Sequence, residues 1–132
     1  MHIDHIGIAV ADIEEAVKTY EKLLNSPCQK RERIDSEKVE TAFFQTGESK
    51  VELLGATEAD SVIARYIEKK GQGLHHVAFE VDDIHAELKR LKEEGFTLLN
   101  NEPKMGADNK WVAFVHPKDN VGVLVELCQT RK

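Results

Sequence analysis

The stretch His5-Ile6-Gly7-Ile8-Ala9-Val10-Ala11-Asp12-Ile13 returns 71 positions later as His76-Val77-Ala78-Phe79-Glu80-Val81-Asp82-Asp83-Ile84. His, Val, Asp and Ile recur at matching places, and the apolar alternation is kept. Further along, Val51-Glu52-Leu53 is answered by Val125-Glu126-Leu127 at an offset of 74, which costs only three extra loop residues. Each half therefore opens on a histidine and closes on a glutamate. A repeat of this kind decides architecture before any single motif is read.

The periodicities identify the pieces. Residues 3–10 alternate, with Ile6, Ile8 and Val10 on one face and His5, Gly7 and Ala9 on the other, the pattern of a half-buried strand. A helix follows: Asp12 is placed to cap it, Glu15 completes a capping box, and Ile13, Ala16, Val17, Tyr20, Leu23 and Leu24 recur at helical spacing. The second half repeats this with a strand over 76–81 and a helix from Asp83 carrying Ile84, Leu88 and Leu91, stopped at Gly95. Short strands are expected at about 28–34, 38–45 and 49–54, then at about 97–100, 110–116 and 122–128. Between the halves, Val62, Ile63, Tyr66 and Ile67 mark a linker helix over about 60–70, before the turn Gly71-Gln72-Gly73. The fold class is α+β: two tandem βαβββ modules forming a curved mixed sheet around a cleft. The expected organisation is one domain over 1–132, with module one at about 3–54 and module two at about 74–128.

Bulk properties agree with that organisation. A chain of 132 residues and 14.9 kDa buries enough surface to fold as one domain without disulfides. Hydrophobic residues at 41% and charged residues at 32% are ordinary globular values, and no apolar run reaches the length of a spanning helix. Met1-His2-Ile3-Asp4 has neither the basic nor the apolar region of a signal peptide, so a cytoplasmic location is expected. Cys28 and Cys128 form no metal or redox motif and read as reduced thiols. A net charge of -6 excludes nucleic acid and anionic membrane as general partners, since both need a positive field. One anionic small molecule met by local lysines stays compatible, and Lys104, Lys110 and Lys118 are candidates to meet phosphate groups.

If the halves pair about a pseudo-twofold axis, the alternation sorts the polar side chains. Ile6, Ile8 and Val10 cover the first helix and send His5 into the cleft; Val77, Phe79 and Val81 do the same for His76. Val51 and Leu53 face the core and leave Glu52 on the cleft side, as Val125 and Leu127 leave Glu126. Two imidazoles and two carboxylates suit a hard or borderline divalent cation, Mg, Mn, Co, Ni or Zn, with positions open for a chelating substrate. The carboxylates also offset the charge of a cation in a half-buried place. No Gly-rich phosphate loop, nucleophile elbow or HExxH sequence occurs, and no organic cofactor site is expected.

The segments Asp4 to Val10, Gly73 to Ile84, Asn101-Glu102-Pro103-Lys104-Met105-Gly106, and His116-Pro117-Lys118 followed by Gly122 to Leu127 resemble the methylmalonyl-CoA epimerases. These form a family within the vicinal oxygen chelate, or glyoxalase, superfamily, and the resemblance covers nearly the whole chain. It implies a metal-dependent isomerase acting on an acyl-CoA, with His5, Glu52, His76 and Glu126 as ligands of one divalent metal ion. It also implies a second carboxylate across the substrate from Glu126. Glu40 is the match for that group, with Glu37 as a rival, and Glu40 shares its strand face with Ala42. Glu40 and Glu126 are then the pair that move the proton on opposite faces of the substrate. A homodimer is implied by the resemblance as well. Two other readings stay open: another metal enzyme of the superfamily, such as a glyoxalase I, and a non-catalytic ligand-binding protein of the same fold.

Overall fold

A computed structural model describes residues 1–131 of the chain. The elements run β1 His2–Val10, α1 Ile13–Leu24, β2 Lys30–Ile34, β3 Val39–Thr46, β4 Ser49–Ala56, α2 Val62–Lys70, β5 Gly73–Glu80, α3 Ile84–Glu93, β6 Lys104–Met105, β7 Lys110–Val115 and β8 Val125–Thr130. Each half is βαβββ, as the repeat requires. The chain divides into two compact units, one spanning Ile6–His75 and the other joining Met1–His5 to the chain from His76 onward. The cut falls inside β1, so His5 belongs with the second half of the sequence.

In the unit Ile6–His75 the strand order is β2-β3-β4-β1, with β2, β3 and β4 antiparallel. Asp12 accepts from the Glu15 N–H at 3.2 Å and starts α1, and Asn25 ends it in the left-handed region at φ 52°. Val17 of α1 packs on Val10, Ala42, Phe44 and Leu53, with Ile8, Ile13, Tyr20 and Val51 around them. The opposite face is covered in part by α2, which Ser61 caps through the Ala64 N–H. There Ile63, Tyr66 and Ile67 bury Ala9, Leu54 and Val39. The linker helix is thus a core element, and Ala9, on the strand face that alternation gives to His5, is fully buried beneath it.

In the other unit the order is β5-β8-β7-β6, with the opening residues of β1 beside β5. β5 and β8 are parallel, while β7 is antiparallel to both β8 and β6. Ile84 and Leu88 of α3 pack on Val81, Ala113 and Leu127, joined by Phe79 and Val125. Gly95 ends this helix at φ 95°, and the Phe96 N–H returns to the Leu91 carbonyl at 3.0 Å. One expected strand is reduced. Over 97–100 only a bridge from Leu98 to Val115 forms, because the Asn100 side chain, not a main-chain carbonyl, accepts the Phe114 N–H at 2.8 Å. The edge pairing passes to Lys104–Met105 instead.

Candidate metal centre

Phe79 of β5 and Val81 just beyond it pack with α3, which turns His76, Ala78 and Glu80 to the other face of the strand. Ala78 is paired with Glu126 on the parallel β8, whose neighbours Val125 and Leu127 also join the α3 cluster. Glu126 therefore shares the face of His76, and β1 brings His5 to the same place. The Nε2 atoms of His5 and His76 are 3.1 Å apart. Glu126 lies with one carboxylate oxygen 3.3 Å from His76 Nε2 and the other 3.7 Å from His5 Nε2. All three side chains are more than nine-tenths buried. The Phe114 ring, cross-strand from Glu126, packs edge-on against His76 at 5.8 Å between centroids.

The donor set can be tested against the needs of a cation. Metal–ligand bonds of about 2.1 Å at tetrahedral or octahedral angles place donor atoms about 3.0–3.4 Å apart. The His–His and His76–Glu126 separations fall in that range, and the His5–Glu126 separation is slightly longer. His5 is oriented as a ligand must be, since its Nδ1–H donates to Asp4 at 2.7 Å, which leaves the Nε2 lone pair pointing at His76 and Glu126. The residues fit a divalent cation.

Asp4 is itself held. Its other oxygen lies 3.3 Å from the Lys110 ammonium, which also donates at 2.8 Å to Glu80 and at 2.8 Å to the Thr130 hydroxyl. Glu80 in turn accepts from the Thr130 N–H at 2.9 Å. Burial opposes the charge on Lys110, but the Glu80 hydrogen bond and the Asp4 charge outweigh it and raise the ammonium to about 12. Burial likewise pushes Glu80 up, and its hydrogen bonds from Lys110 and Thr130 overcome that and leave it below its usual value. The neighbouring Cys128 thiol is pushed far up, first by burial and then by the negative charge of Asp4 and Glu126. This network is not what the sequence suggests, where Lys110 reads as a loop lysine for a phosphate. Lys110 is only 7% exposed and is committed inside the protein. The available signal was the alternation Lys110, Val112, Phe114, which sets the lysine on the face of Glu126. Lys104 and Lys118 are exposed, while His116 caps the turn Pro117–Asp119 by accepting the Lys118 N–H.

In the unit Ile6–His75, Glu52 is buried at 4% exposure and pairs across strands with Phe43, on the face away from α1. Glu40 is not on that face. It is paired with Gly55, and a side chain at Gly55 would meet Ile13 of α1; its face-mates Ala42 and Phe44 lie in the α1 cluster. Its carboxylate is bound by Arg31 at 2.6 Å, and Arg31 also clasps Glu14 of α1 through two hydrogen bonds. The expectation that Glu40 points into a cleft is therefore corrected. It rested on the shared face with Ala42, and Ala42 proves to be core beneath the helix. Thr41, 2% exposed, shares the face of Glu52 with Val39 and Phe43. Glu37 is half-buried in the one-turn segment Asp35–Glu37.

Comparison with known proteins gives the class. Residues 4–114 match the family model described as the glyoxalase/bleomycin resistance protein/dioxygenase superfamily, and the chain belongs to that superfamily. Within it, the chain is 40% identical over 129 residues to the ethylmalonyl-CoA/methylmalonyl-CoA epimerase of Cereibacter sphaeroides, covering 96% of each protein. It is also 40% identical over 128 residues to the human mitochondrial methylmalonyl-CoA epimerase, covering 96% of this chain and 73% of the human one. A solved variant of Streptomyces coelicolor methylmalonyl-CoA epimerase, in complex with 2-nitronate-propionyl-CoA, matches with a TM-score of 0.94 at 32% identity, over 98% of this chain and 94% of that one. Among the described residues, no helix is long and apolar enough to cross a membrane.

Proposed function

We propose that this chain is a metal-dependent epimerase that interconverts (2R)- and (2S)-methylmalonyl-CoA by moving the proton on the α carbon, with its two modules acting as one domain. The observation that carries the reading is the buried convergence of His5, His76 and Glu126, in a chain 40% identical to proteins named for that reaction. The ligand of the Streptomyces relative adds to it, since a nitronate is planar and anionic at the carbon that an epimerase would deprotonate.

His5, His76 and Glu126 would hold the divalent cation, with Glu52 as the fourth ligand by its equivalence to Glu126 in the repeat. A cation there supplies Lewis-acid stabilisation of the charge that develops on the substrate oxygens as the proton leaves. The protein's own part is to hold and move that proton. Inversion needs one carboxylate on each face of the planar enolate. Glu126 serves one face. For the other, Glu40 is tied to Arg31 on the α1 side of its sheet, and Glu52 is put forward in its place as the counterpart of Glu126 in the repeat. Asp4 fixes the His5 ring, and Phe114 packs against the His76 ring and excludes water beside it. A homodimer in the cytoplasm belongs to the same reading, with sedimentation as its check.

The test is exchange at the α carbon of methylmalonyl-CoA in deuterated water, with cobalt, manganese, nickel, zinc or magnesium and with a chelator. Deuterium entering both epimers with a suitable metal, and stopping with chelator, is the expected result. No exchange with any of these metals would end the assignment.

A further inference from the structure

We infer that Lys110 is a positioning residue for the metal centre, acting through Asp4 to set the ring orientation and tautomer of His5. The inference rests on the metal-centre reading above. It is carried by a continuous chain of short polar contacts within one unit: Lys110 Nζ to Asp4 Oδ1 at 3.3 Å, then Asp4 Oδ2 to His5 Nδ1 at 2.7 Å, with His5 Nε2 3.1 Å from His76.

The chemistry explains why a lysine is placed there. A histidine presents Nε2 as a lone pair only if its proton stays on Nδ1, and a carboxylate accepting from Nδ1 enforces that choice. A carboxylate as buried as Asp4, 6% exposed, holds that geometry when a cation compensates it on the far side. Lys110 supplies the cation. Its ammonium is fixed in turn by Glu80 and by the Thr130 hydroxyl, so swinging away from Asp4 would break two further hydrogen bonds.

A second observation points the same way. Asp4, Glu80 and Cys128 offer donor atoms within 4.8 Å of one another, a cluster that could itself attract a metal ion. The Lys110 ammonium stands against two of its three members, 3.3 Å from Asp4 and 2.8 Å from Glu80. Lysine thus compensates those acids with an internal charge and leaves the imidazole group as the place for the ion.

The test uses Lys110→Met, which keeps the stem and removes the charge, with Lys110→Arg as the conservative rescue and Glu80→Gln as a milder variant that loosens the ammonium from its far side. Two readouts are taken: the ring ¹⁵N shifts of His5 in the metal-free protein, and the affinity for cobalt followed by visible absorption. The wild type is expected to show His5 with its proton on Nδ1. Lys110→Met is expected to move both nitrogen shifts toward a tautomer mixture and to weaken cobalt binding by roughly 10- to 100-fold, the range for loss of an outer partner of a metal ligand; Lys110→Arg restores part of both. If Lys110→Met does not fold, the same direction of change is expected in Glu80→Gln. A folded Lys110→Met, or in its absence a folded Glu80→Gln, with wild-type His5 shifts and cobalt affinity overturns the inference. Failure of the wild type to bind cobalt would count against the metal reading alone, because the ring shifts still report on Lys110.

Discussion

His5 and His76, 71 residues apart in the chain, face each other across neighbouring strands with their Nε2 atoms 3.1 Å apart, each ring more than nine-tenths buried. Both imidazoles are presented to one point, and Glu126 closes the third side. On the proposed metal reading, replacing either histidine by alanine removes a ligand. Cobalt or manganese affinity is expected to fall by at least about 100-fold in each single variant, read by calorimetry, since a ligand matters at least as much as the outer partners that orient it.

Glu52 and Glu40 stand only three positions apart in cross-strand register, Glu40 being paired with Gly55, and their side chains leave opposite faces of the sheet. Glu52→Gln and Glu126→Gln are each expected to retain α-proton exchange on one epimer while inversion falls by roughly 10²-fold or more, the scale of a lost acid–base group. Glu40→Gln is expected to leave turnover within about twofold and to cost at most about 1 kcal/mol of stability, in line with a partly exposed ion pair. Mass and chirality of the product, read together after reaction in deuterated water, separate these outcomes. A loss of inversion in Glu40→Gln that matches Glu52→Gln would overturn the assignment.

The Lys110–Glu80 pair predicts how stability follows pH. Glu80 titrates below its ordinary 4.5 in the folded protein, so its contribution is complete above that value and is lost as pH falls through the depressed one. Lys110 is raised from 10.5 to about 12, so its contribution is complete below 10.5 and is lost as pH rises through the higher value. Urea midpoints measured across the acid limb are expected to fall less steeply in Glu80→Gln than in wild type. An unchanged acid slope would contradict the pairing.

At Gly55 a Cβ atom would lie 3.0 Å from the Cβ of Ile13, close to the helix backbone. Gly55→Val is expected to push α1 from its strand and cost about 1–3 kcal/mol, as overpacking in a core does. Chemical denaturation reads this directly, and a variant as stable as wild type would show that the helix yields freely.

Much of this arrangement was legible in the chain. The duplicated His–Glu pattern revealed the βαβββ halves, and the strand alternation revealed the faces of His76, Glu52 and Glu126, because Phe79 and Val81, Val51 and Leu53, and Val125 and Leu127 make helix contacts that are local. Glu40 was misplaced for a definite reason: Ala42 is small and reads as cleft lining or as core equally well, and only the pairing with Leu53 shows which. Residues 97–100 kept a strand-like pattern and two main-chain bonds around Leu98, but the pairing stops where the Asn100 side chain takes the Phe114 N–H, a choice that depends on where Phe114 lies. Alternation could place Lys110 on the face of Glu126, but its partners Asp4, Glu80 and Thr130 come from three other strands that only the fold assembles.

The central claim is that His5, His76 and Glu126 bind one ion. Crystals grown with manganese and measured at an anomalous wavelength test it most directly. A peak within about 2.0–2.4 Å of His5 Nε2, His76 Nε2 and a Glu126 oxygen is the predicted result. A map with no peak there, or with its manganese bound elsewhere, would contradict it.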